Sequence, residues 1–254
     1  MDKAKALILA AGYATRLYPL TRDYPKPLLQ VKGKPIINYI IDKFTGLKEI
    51  DEIFVVTNSK FISHFKRWRK KIRSNKRISL IDDLTKSPED RLGAVGDIDF
   101  TIRAKSIKND LLVIGGDNLF MESMRGFIDL AKNKNSPVLG VYDIKNKRNA
   151  TKYGVIKLDK NNKVVDFQEK PRKPKSSLVA MCLYYFPKKR LSFIGEYADN
   201  RNKNNDTTGS YIDWLRRKIN VYGYIFKEPW YDIGDHKFYD EARKKWYVTR
   251  KEKR

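Results

Sequence analysis

The sequence is poor in cysteine and histidine, with one cysteine, Cys182, and two histidines in 254 residues. A single cysteine excludes an intramolecular disulfide, and it predicts a reduced, cytoplasmic protein. No apolar run approaches the roughly 18 to 20 residues that a membrane span requires, so we expect neither a transmembrane segment nor a membrane partner. The apolar patch at the N-terminus is too short for a secretory signal, and Arg16 follows it at once.

Acidic residues are also scarce relative to basic ones. There are 54 Lys and Arg against 30 Asp and Glu, which gives a net charge of +24. Such a surface favours anionic partners, and nucleotides, nucleic acid and acidic membranes all qualify. A Lys- and Asn-rich compositional habit explains part of the excess equally well. Charge alone therefore leaves the partner open.

Short β-branched runs alternate with segments of helical spacing along the chain. This alternation predicts an α/β protein, a three-layer Rossmann-like fold with a mixed, mostly parallel central sheet. Residues 153–171 predict a hairpin, and a helix over 209–219 separates two later strands. The strands are predicted at residues 6–10, 52–57, 77–81, 110–116, 136–142, 176–186 and 221–226.

The sequence has no internal repeat and no clear linker. We therefore expect one domain over residues 1–249 and a charged tail at 250–254. The most polar stretch, residues 199–206, predicts a surface loop.

The first strand ends in small residues, Ala10, Ala11 and Gly12. Ligands usually sit at the carboxyl ends of parallel strands, and small residues let a nucleotide approach the backbone closely. Neither familiar glycine-rich phosphate loop is present, because Ala14 occupies the second glycine of a dinucleotide fingerprint. Taken alone, this piece is equally compatible with a simple strand turn.

Two cations follow that turn. Lys26 lies between two prolines, which stiffen the backbone and hold the lysine in place. Together with Arg16, it predicts a polyphosphate site beside the glycine turn.

Carboxylates appear at two further points in the chain. Asp117 follows an apolar strand and two glycines, where it is placed to hold a divalent cation or, alternatively, to cap a helix. Asp232 or Asp235 would supply a second carboxylate, while one of them, Asp235, is the candidate cap of the final helix. Glu169 and the adjacent lysine are a weak signal by themselves, because this pair is common on surfaces.

Together these segments resemble the signature of the sugar-phosphate nucleotidyltransferases, typified by glucose-1-phosphate thymidylyl- and uridylyltransferases. The resemblance covers nearly the whole chain in the right order, and it implies a nucleotide-binding N-terminal half and a sugar-phosphate-binding C-terminal half. The N-terminal stretch LILAAGYATRLYPLT with PKPLL and GKPII is similar to the family signature. Four more segments follow in sequence order: RLGAVGDI (91–98) resembles the base-binding segment, GGDN (115–118) the metal-binding Gly-Asp, residues 152–171 the sugar and phosphate segment, and WYDIGD (230–235) the second metal ligand.

The resemblance implies roles for particular residues. The nucleotide would be lined by Leu9, Ala10, Ala11, Gly12 and Gly93. The reacting phosphates would be contacted by Arg16 and Lys26, and Mg²⁺ would be bound by Asp117 and Asp232. The sugar phosphate would be held by Asn118, Gly154, Glu169 and Lys170. The implied reaction joins a sugar-1-phosphate, with glucose-1-phosphate favoured, to dTTP or UTP and releases pyrophosphate.

Three features depart from the family pattern. Ala14 stands where glycine is usual, and Ala94 and Val95 alter the base-binding segment, to which Asp97 adds a charge. The glutamine that reads the pyrimidine edge in many members has no clear counterpart. The base is therefore the least determined part of this expectation.

The implied chemistry explains why the chain has no evident catalytic triad. The attacking phosphate oxygen is already ionised at neutral pH, so no general base is required. The obstacle is repulsion between anions, which positioning and fixed cations relieve.

Three other functions remain open. Nucleic-acid binding is suggested by charge, but Phe61, Phe65, Trp68 and Ile72 recur at helical spacing and are expected to face the core. A catalytically silent relative is the second possibility. The third is cytidylyl transfer to phosphocholine or another non-sugar phosphate, for which an aromatic cage is available at Tyr184, Tyr185, Tyr211, Trp214 and Trp230. The substrates define the expected partners, with a homo-oligomer possible and a bifunctional enzyme not expected.

Overall fold

The computed structural model of the protein describes residues 3–200 and 206–246. The strands in these ranges are β1 (Ala4–Leu9), β2 (Gln30–Val31), β3 (Lys34–Pro35), β4 (Ile50–Thr57), β5 (Arg77–Asp82), β6 (Leu111–Gly115), β7 (Asn118–Phe120), β8 (Val138–Asp143), β9 (Gly154–Leu158), β10 (Val164–Glu169), β11 (Leu178–Phe186), β12 (Tyr222–Phe226) and β13 (Trp230–Asp232). The α-helices are α1 (Ile36–Thr45), α2 (Ile62–Lys71), α3 (Gly93–Lys105), α4 (Arg125–Lys134), α5 (Ser192–Asn200), α6 (Thr208–Lys218) and α7 (His236–Lys245).

The central sheet has nine strands in these ranges. Seven follow the order β10-β9-β11-β6-β1-β4-β5, and β8 joins β11 to β12. Strands β5, β4, β1 and β6 pair in parallel, whereas β11 is antiparallel to its neighbours and β10 to β9. Because β8 and β12 also pair in parallel, every strand of this nine-stranded sheet except β10 and β11 runs in one direction. The predicted α/β fold with a mixed, mostly parallel sheet is confirmed.

Helices cover both faces of the sheet and produce two main hydrophobic clusters. On one face α1, α2 and α4 bury side chains such as Phe44, Phe65 and Phe127. On the other face α3, α5 and α6 pack through Ile98, Ile194 and Leu215. Strand β1 lies between the two layers, so its residues are apolar in succession rather than alternating, as expected for a strand buried on both faces.

The packing of helix α2 shows whether the aromatic residues of this basic segment could bind nucleic acid. Phe65 and Trp68 are buried, and the Trp68 indole nitrogen donates a hydrogen bond to Asn38 at 2.8 Å. Lys66, Arg67 and the cations that follow on the same face are exposed. The predicted inward orientation of the aromatic residues is confirmed, so these rings are unavailable for stacking on nucleic acid bases.

The polar stretch at residues 199–206 differs from the predicted surface loop. Asp199 and the residue after it continue α5, and Arg103 of α3 donates a hydrogen bond to Asp199 at 2.8 Å. That bond links the last turn of α5 to α3. Asp206 instead lies against Gly93 at the mouth of a cavity. Residues 201–205 and the predicted tail at 250–254 lie outside the described ranges, and the domain limits remain a prediction.

Among the helices of the described ranges, none combines the length and the apolar character that crossing a bilayer demands.

Candidate active site

A two-lobed cleft opens at the carboxyl ends of β1 and β6. The smaller lobe has a volume of about 300 Å³ and the larger about 430 Å³. Leu9, Gly12 and Asp117 line both lobes, so the two cavities form one continuous cleft. The carboxyl end of a parallel sheet is where ligands of α/β proteins bind, in agreement with the position predicted from the sequence.

The loop after β1 is held by buried side chains of β4 and the residue that follows it. Thr57 donates a hydrogen bond to the carbonyl of Ala10 at 3.3 Å, and Asn58 donates one to the carbonyl of Ala11 at 2.7 Å. A Cβ atom added to Gly12 would meet nothing within 4 Å, so no neighbouring side chain packs against this glycine and the space in front of it is open. The backbone therefore forms a fixed, uncrowded wall.

Ala14 adopts a left-handed backbone conformation, with φ 50° and ψ 42°. Its carbonyl accepts a hydrogen bond from the hydroxyl of the buried Thr21 at 2.8 Å. Left-handed backbone is unfavourable for a residue with a Cβ atom, which explains why glycine is usual at this point of the family pattern. The methyl group is accommodated here, and the loop keeps its shape at the expense of backbone strain.

Lys26 enters the smaller lobe from the segment between Pro25 and Pro27 and forms an ion pair with Asp117. Burial acts to lower the pKa of Lys26, but Asp117 and Asp232 outweigh it, and the net effect raises the pKa. The ammonium group therefore stays charged. The segment packs tightly, since a Cβ atom on Gly116 would lie 2.8 Å from the Leu9 carbonyl and 3.0 Å from Pro27.

Asp232 reaches the same cluster from β13, a strand far along the chain. Strand β13 pairs with β7 so that Asp232 lies opposite Asn118, next to Asp117 in sequence. Burial and repulsion by Asp117 raise the pKa of Asp232 to about 6, although Lys26 and Arg16 act to lower it. Two carboxylates and two cations thus share one small volume, and a bound cation would relieve the carboxylate repulsion.

Asp235 has the alternative role considered for it. Its side chain accepts a hydrogen bond from the backbone N–H of Phe238 at 3.1 Å and so caps α7. It also forms an ion pair with Lys152 at 3.0 Å. The second carboxylate of the cleft is therefore Asp232.

Glu169 and Lys170, from the C-terminal half of the chain, line the larger lobe. Strands β9 and β10 place Glu169 opposite Gly154, and two glycines make room for the β10 side chains. A Cβ atom on Gly209 would lie 1.9 Å from a carboxylate oxygen of Glu169, and one on Gly154 would lie 2.4 Å from the ring of Phe167. The absence of side chains at these positions therefore fixes where Glu169 sits.

Asn118 does not line the cleft. It is buried behind the larger lobe, where its carbonyl oxygen accepts a hydrogen bond from Trp230 at 2.6 Å. Its amide nitrogen donates to the backbone carbonyls of Gly115 and Cys182 at 3.4 Å. Gly154 also lies beneath Phe167 rather than on the cavity surface.

Several lining residues had no predicted role. From the N-terminal half of the chain these include Asp83 and Arg91. From the C-terminal half they include Asp206, Thr207 and Thr208. Asp83 was detectable, because it follows β5 as Ala10 follows β1. No sequence pattern distinguished residues 206–208. Cys182 also lines the lobe, but burial and the nearby carboxylates raise its pKa to about 12, so it is a neutral thiol.

The five aromatic residues considered for a choline cage do not converge. Tyr185 donates a hydrogen bond to Asp110 and belongs to one hydrophobic cluster, while Tyr211 and Trp214 stack on the other face of the sheet. Trp230 packs elsewhere, on Tyr142 and Tyr153. These residues therefore form no common site for a quaternary ammonium group.

The cleft has the size of a nucleotide and lies at the carboxyl edge of an α/β sheet. Arg16, Lys26 and Asp117 line it, and Asp232 interacts electrostatically with them. These features define a class of phosphoryl- or nucleotidyl-transferring proteins. The comparisons narrow this class. The model of the family described as Nucleotidyl transferase matches residues 5–247. The chain belongs to this family.

Two relatives and one solved structure illustrate the similarity. The bifunctional protein GlmU of Methanocaldococcus jannaschii is 31% identical over 234 residues, covering 90% of this chain and 51% of that protein. A glucose-1-phosphate thymidylyltransferase of Neisseria meningitidis serogroup A is 29% identical over 244 residues, covering 94% and 81%. A UDP-glucose pyrophosphorylase complexed with UDP-glucose superposes with a TM-score of 0.81 at 22% identity over both whole chains. The chain thus spans about half the length of the GlmU relatives.

Proposed function

We propose that the protein is a sugar-phosphate nucleotidyltransferase. It joins a nucleoside triphosphate to a sugar-1-phosphate, giving a nucleoside-diphosphate sugar and pyrophosphate. The observation that carries the proposal is the set of Arg16, Lys26 and Asp117 on the wall of the smaller lobe, together with Asp232, which interacts electrostatically with all three. Such a cluster meets the electrostatic needs of a reaction between two anions.

In the proposed reaction a phosphate oxygen of the sugar-1-phosphate attacks the α-phosphorus of the nucleotide. The bond from that phosphorus to the leaving pyrophosphate breaks in line with the attack. The attacking oxygen is already ionised, so no side chain has to remove a proton. Lys26, which remains protonated in its buried setting, and Arg16 would stabilise the charge on the reacting phosphates and the leaving group.

The carboxylates of Asp117 and Asp232 fit a divalent cation, and we propose Mg²⁺. Within the described ranges no group of three or more His, Cys, Asp or Glu side chains is arranged to hold a metal. A site with only two carboxylates suits Mg²⁺, which usually takes one or two of them and completes its shell with water and substrate phosphates. When bound, the ion would neutralise and orient phosphate oxygens.

The two lobes suggest where the substrates bind. The triphosphate would lie over Ala10 and Gly12 in the smaller lobe, beside the cations, with Ala11 on the adjoining wall of the larger lobe. The sugar would lie in the larger lobe, with Glu169 binding its hydroxyls and Lys170 its phosphate. Asn118 and Gly154 would act from behind, by positioning Trp230 and Phe167. Glucose-1-phosphate is the first acceptor to test, in view of the thymidylyltransferase relative.

The donor that the sequence resemblance favours is dTTP or UTP. A cytoplasmic, single-domain protein, with residues 1–249 as the domain and a possible homo-oligomer, remains a prediction from sequence.

The decisive experiment is a pyrophosphate-release panel. Purified protein with Mg²⁺ would be given dTTP, UTP, CTP, ATP and GTP, each with hexose-1-phosphates or phosphocholine. We expect release only when both a nucleotide and a sugar-1-phosphate are present. Asp117→Asn should lose this activity, whereas Asp240→Asn, an exposed carboxylate on α7, should not. Release from no combination would refute the proposed function.

A further inference from the structure

Asp206 lies at the larger lobe, just before the N-cap residue of α6. It lines the cavity together with Thr207 and Thr208. Its side chain is 17% exposed, so it is held among other groups rather than extended into solvent. Thr207 caps α6, because its side chain accepts a hydrogen bond from the backbone N–H of Ser210 at 3.1 Å. Asp206 is therefore attached to a fixed helix end.

Asp206 also contacts the segment at the start of α3. Its carbonyl accepts a hydrogen bond from the backbone N–H of Val95 at 3.4 Å, and its carboxylate accepts one from the Nε atom of Arg91 at 3.4 Å. A Cβ atom on Gly93 would lie 2.4 Å from the Cβ atom of Asp206 and 2.5 Å from a carboxylate oxygen. Only glycine at position 93 therefore leaves room for Asp206. Arg91 and Gly93 line the same lobe.

These contacts meet a need of α3. The first backbone N–H groups of a helix have no partner within the helix, and its N-terminus carries a partial positive charge. The N-cap position of α3 is Leu92, whose aliphatic side chain cannot accept a hydrogen bond. Asp206 supplies an acceptor and a negative charge from another part of the chain. The conformation of residues 91–95 therefore depends on where Asp206 lies.

The start of α6 is connected just as closely to Glu169. A Cβ atom on Gly209 would lie 1.9 Å from a carboxylate oxygen of Glu169. Between these two contacts, the hydroxyl of Thr208 accepts a hydrogen bond from the hydroxyl of Tyr184 at 2.9 Å. Residues 206–209 thus touch the start of α3 at one end and Glu169 at the other.

The two ends of this segment contact residues from the two proposed substrate sites. The sequence resemblance implies that the nucleotide lies against Gly93, and Leu9 and Ala11 give the same lobe an apolar surface that suits the face of a base. Glu169 is the proposed ligand of the sugar hydroxyls. Residues 206–209 therefore connect the nucleotide site to the sugar site.

A connection of this kind links the two binding equilibria. A nucleotide that packs on residues 91–95 would fix them against Asp206, and would thereby fix the start of α6 beside Glu169. The sugar phosphate then meets a site that is already in place and binds more tightly. By thermodynamic linkage, the sugar phosphate raises the affinity for the nucleotide by the same factor.

We infer that Asp206 is a positioning residue that couples nucleotide binding to sugar-phosphate binding. This inference rests on the proposed function and adds a coupling between its two substrates. Asp206 acts through Arg91, Gly93 and Val95 and has no part in the chemistry at the reacting phosphates.

The test measures nucleotide affinity by isothermal titration calorimetry, in the presence of Mg²⁺, with and without a saturating sugar-1-phosphate. The titrant is the α,β-methylene analogue of the nucleotide that is most active in the pyrophosphate-release panel. Its methylene bridge prevents pyrophosphate from leaving, so no turnover occurs. The Kd without sugar phosphate divided by the Kd with it is the coupling factor. For the unaltered protein we expect a factor of at least about five.

In Asp206→Ala and in Arg91→Gln the coupling factor should fall to within twofold of one, because the ion pair with the start of α3 is lost. Asp199→Ala is the matched control. Asp199 also accepts a hydrogen bond from an arginine of α3, Arg103, at 2.8 Å, but neither residue of that pair lines the cleft. The control should therefore keep the coupling factor of the unaltered protein.

Other roles of these residues give different results. If Arg91 only binds the nucleotide directly, Arg91→Gln weakens nucleotide affinity equally with and without the sugar phosphate, and the coupling factor is unchanged. Partial unfolding lowers the number of binding sites but leaves the ratio of the two Kd values as it was. The coupling factor therefore isolates the positioning role.

Two results would overturn the inference while the proposed function stands. One is a coupling factor within twofold of one in the unaltered protein, and the other is a factor of about five or more in Asp206→Ala. If no nucleotide supports pyrophosphate release in the panel, the proposed function itself fails, and the inference fails with it.

Discussion

The two lobes of the cleft differ in how they are built. The smaller lobe draws its ligand-facing groups mainly from residues 9–27, which follow one strand, and adds Asp117. The larger lobe draws its lining from separate segments that follow β1, β5, β6 and β10 and precede α3 and α6. The two lobes also differ in charge. Fixed cations dominate the smaller lobe, whereas carboxylates are prominent among the residues from the N-terminal half of the chain that line the larger lobe. The proposed phosphate-binding groups are thus close together in the sequence, whereas the groups proposed to bind the sugar come together only in the tertiary structure.

The smaller lobe is also internally neutralised before any substrate binds. The ammonium group of Lys26 lies against Asp117 and stabilises both carboxylates of the cluster. Phosphate binding and cation binding therefore compete with an existing ion pair. Each of these groups compensates the buried charge of another, so removal of one leaves the others with an uncompensated charge. This mutual dependence is the strongest contrast with the larger lobe.

The largest effect should follow removal of the Lys26 ammonium group. For Lys26→Ala we expect kcat to fall about a hundredfold to a thousandfold, because a fixed cation at the reacting phosphates is lost from a water-poor site. Steady-state pyrophosphate release measures the change. Lys105→Ala is the control: Lys105 ends α3, about 18 Å along the helix from the cavity residue that begins it.

A second outcome would weaken the distinction between the lobes. If Lys26→Ala changed only the KM of the sugar phosphate and left kcat within threefold, Lys26 would serve substrate binding rather than the reacting phosphates. Its thermal unfolding should be recorded alongside, since the variant leaves two buried carboxylates with less compensation.

The next effect concerns Asp232 and pH. Its pKa in the folded, metal-free protein is about 6, above the ordinary value of 3.8, so the carboxyl retains a proton below pH 6. A proton competes with a metal ion for the same group. We therefore expect the apparent affinity for Mg²⁺ to fall about tenfold for each unit below pH 6, and to be nearly constant from pH 7 to 8.

Mg²⁺ titrations of activity at pH 5, 6, 7 and 8 measure this dependence. The same raised pKa means that the folded protein binds more protons than the unfolded chain between about pH 4 and 6, so metal-free stability should decline as pH rises through that range. In Asp232→Asn both pH dependences should be reduced. An Mg²⁺ affinity that is constant from pH 5 to 7 would contradict the assignment of Asp232 as a ligand.

The division between the lobes explains how much the sequence predicted. The fold follows from local patterns, since a strand buried on both faces is recognisable as an apolar run, as in β1. Arg16 and Lys26 were predicted because both lie within 17 residues of Leu9 on a stretch with distinctive prolines. The choice of Asp232 over Asp235 needed the family resemblance, because the pairing of β13 with the distant β7 is what brings Asp232 towards Asp117.

The larger lobe was less accessible to sequence reasoning. Asp206 precedes α6 and Thr208 begins it, in a stretch without apolar periodicity, and the packing of α6 on β10 brings them to the cavity. Asp97 was noted as an additional charge in its segment, but Asp83, which lines the same cavity, is fourteen residues away in the sequence. Asn118 was assigned to the sugar phosphate, yet its side chain is used to hold Trp230.

A smaller and more selective effect is expected at Gly209. In Gly209→Ala the new Cβ atom would lie 1.9 Å from Glu169, which must move. Overpacking of this kind costs about 1 to 3 kcal/mol. We expect the KM for the sugar phosphate to rise about tenfold while the KM for the nucleotide stays within twofold, as measured with each substrate varied in turn.

Gly46→Ala is the matched control for that change, because a Cβ atom there would meet nothing within 4 Å and the residue has an ordinary φ of −85°. Equal increases in both KM values for Gly209→Ala would indicate a general distortion of the cleft, and the separation of sugar and nucleotide sites would then be wrong.

The smallest effect concerns the strain at Ala14 in the smaller lobe. Left-handed backbone costs a residue with a Cβ atom roughly 1 to 2 kcal/mol, and glycine avoids that cost but loses more entropy on folding. For Ala14→Gly we therefore expect a net gain of about 1 kcal/mol in the free energy of unfolding. Urea denaturation should show a higher midpoint with an unchanged slope.

An alanine-to-glycine substitution elsewhere in the chain should change the free energy of unfolding in the opposite direction. Ala104 is an exposed residue inside α3, where Ala104→Gly should destabilise the protein by about 1 kcal/mol. A stabilised Ala14→Gly with unchanged kcat would mean that the strain is not needed for catalysis. A stabilised variant with reduced kcat would instead mean that the methyl group stiffens the loop against the triphosphate, and that local rigidity contributes to the smaller lobe as much as its charges do.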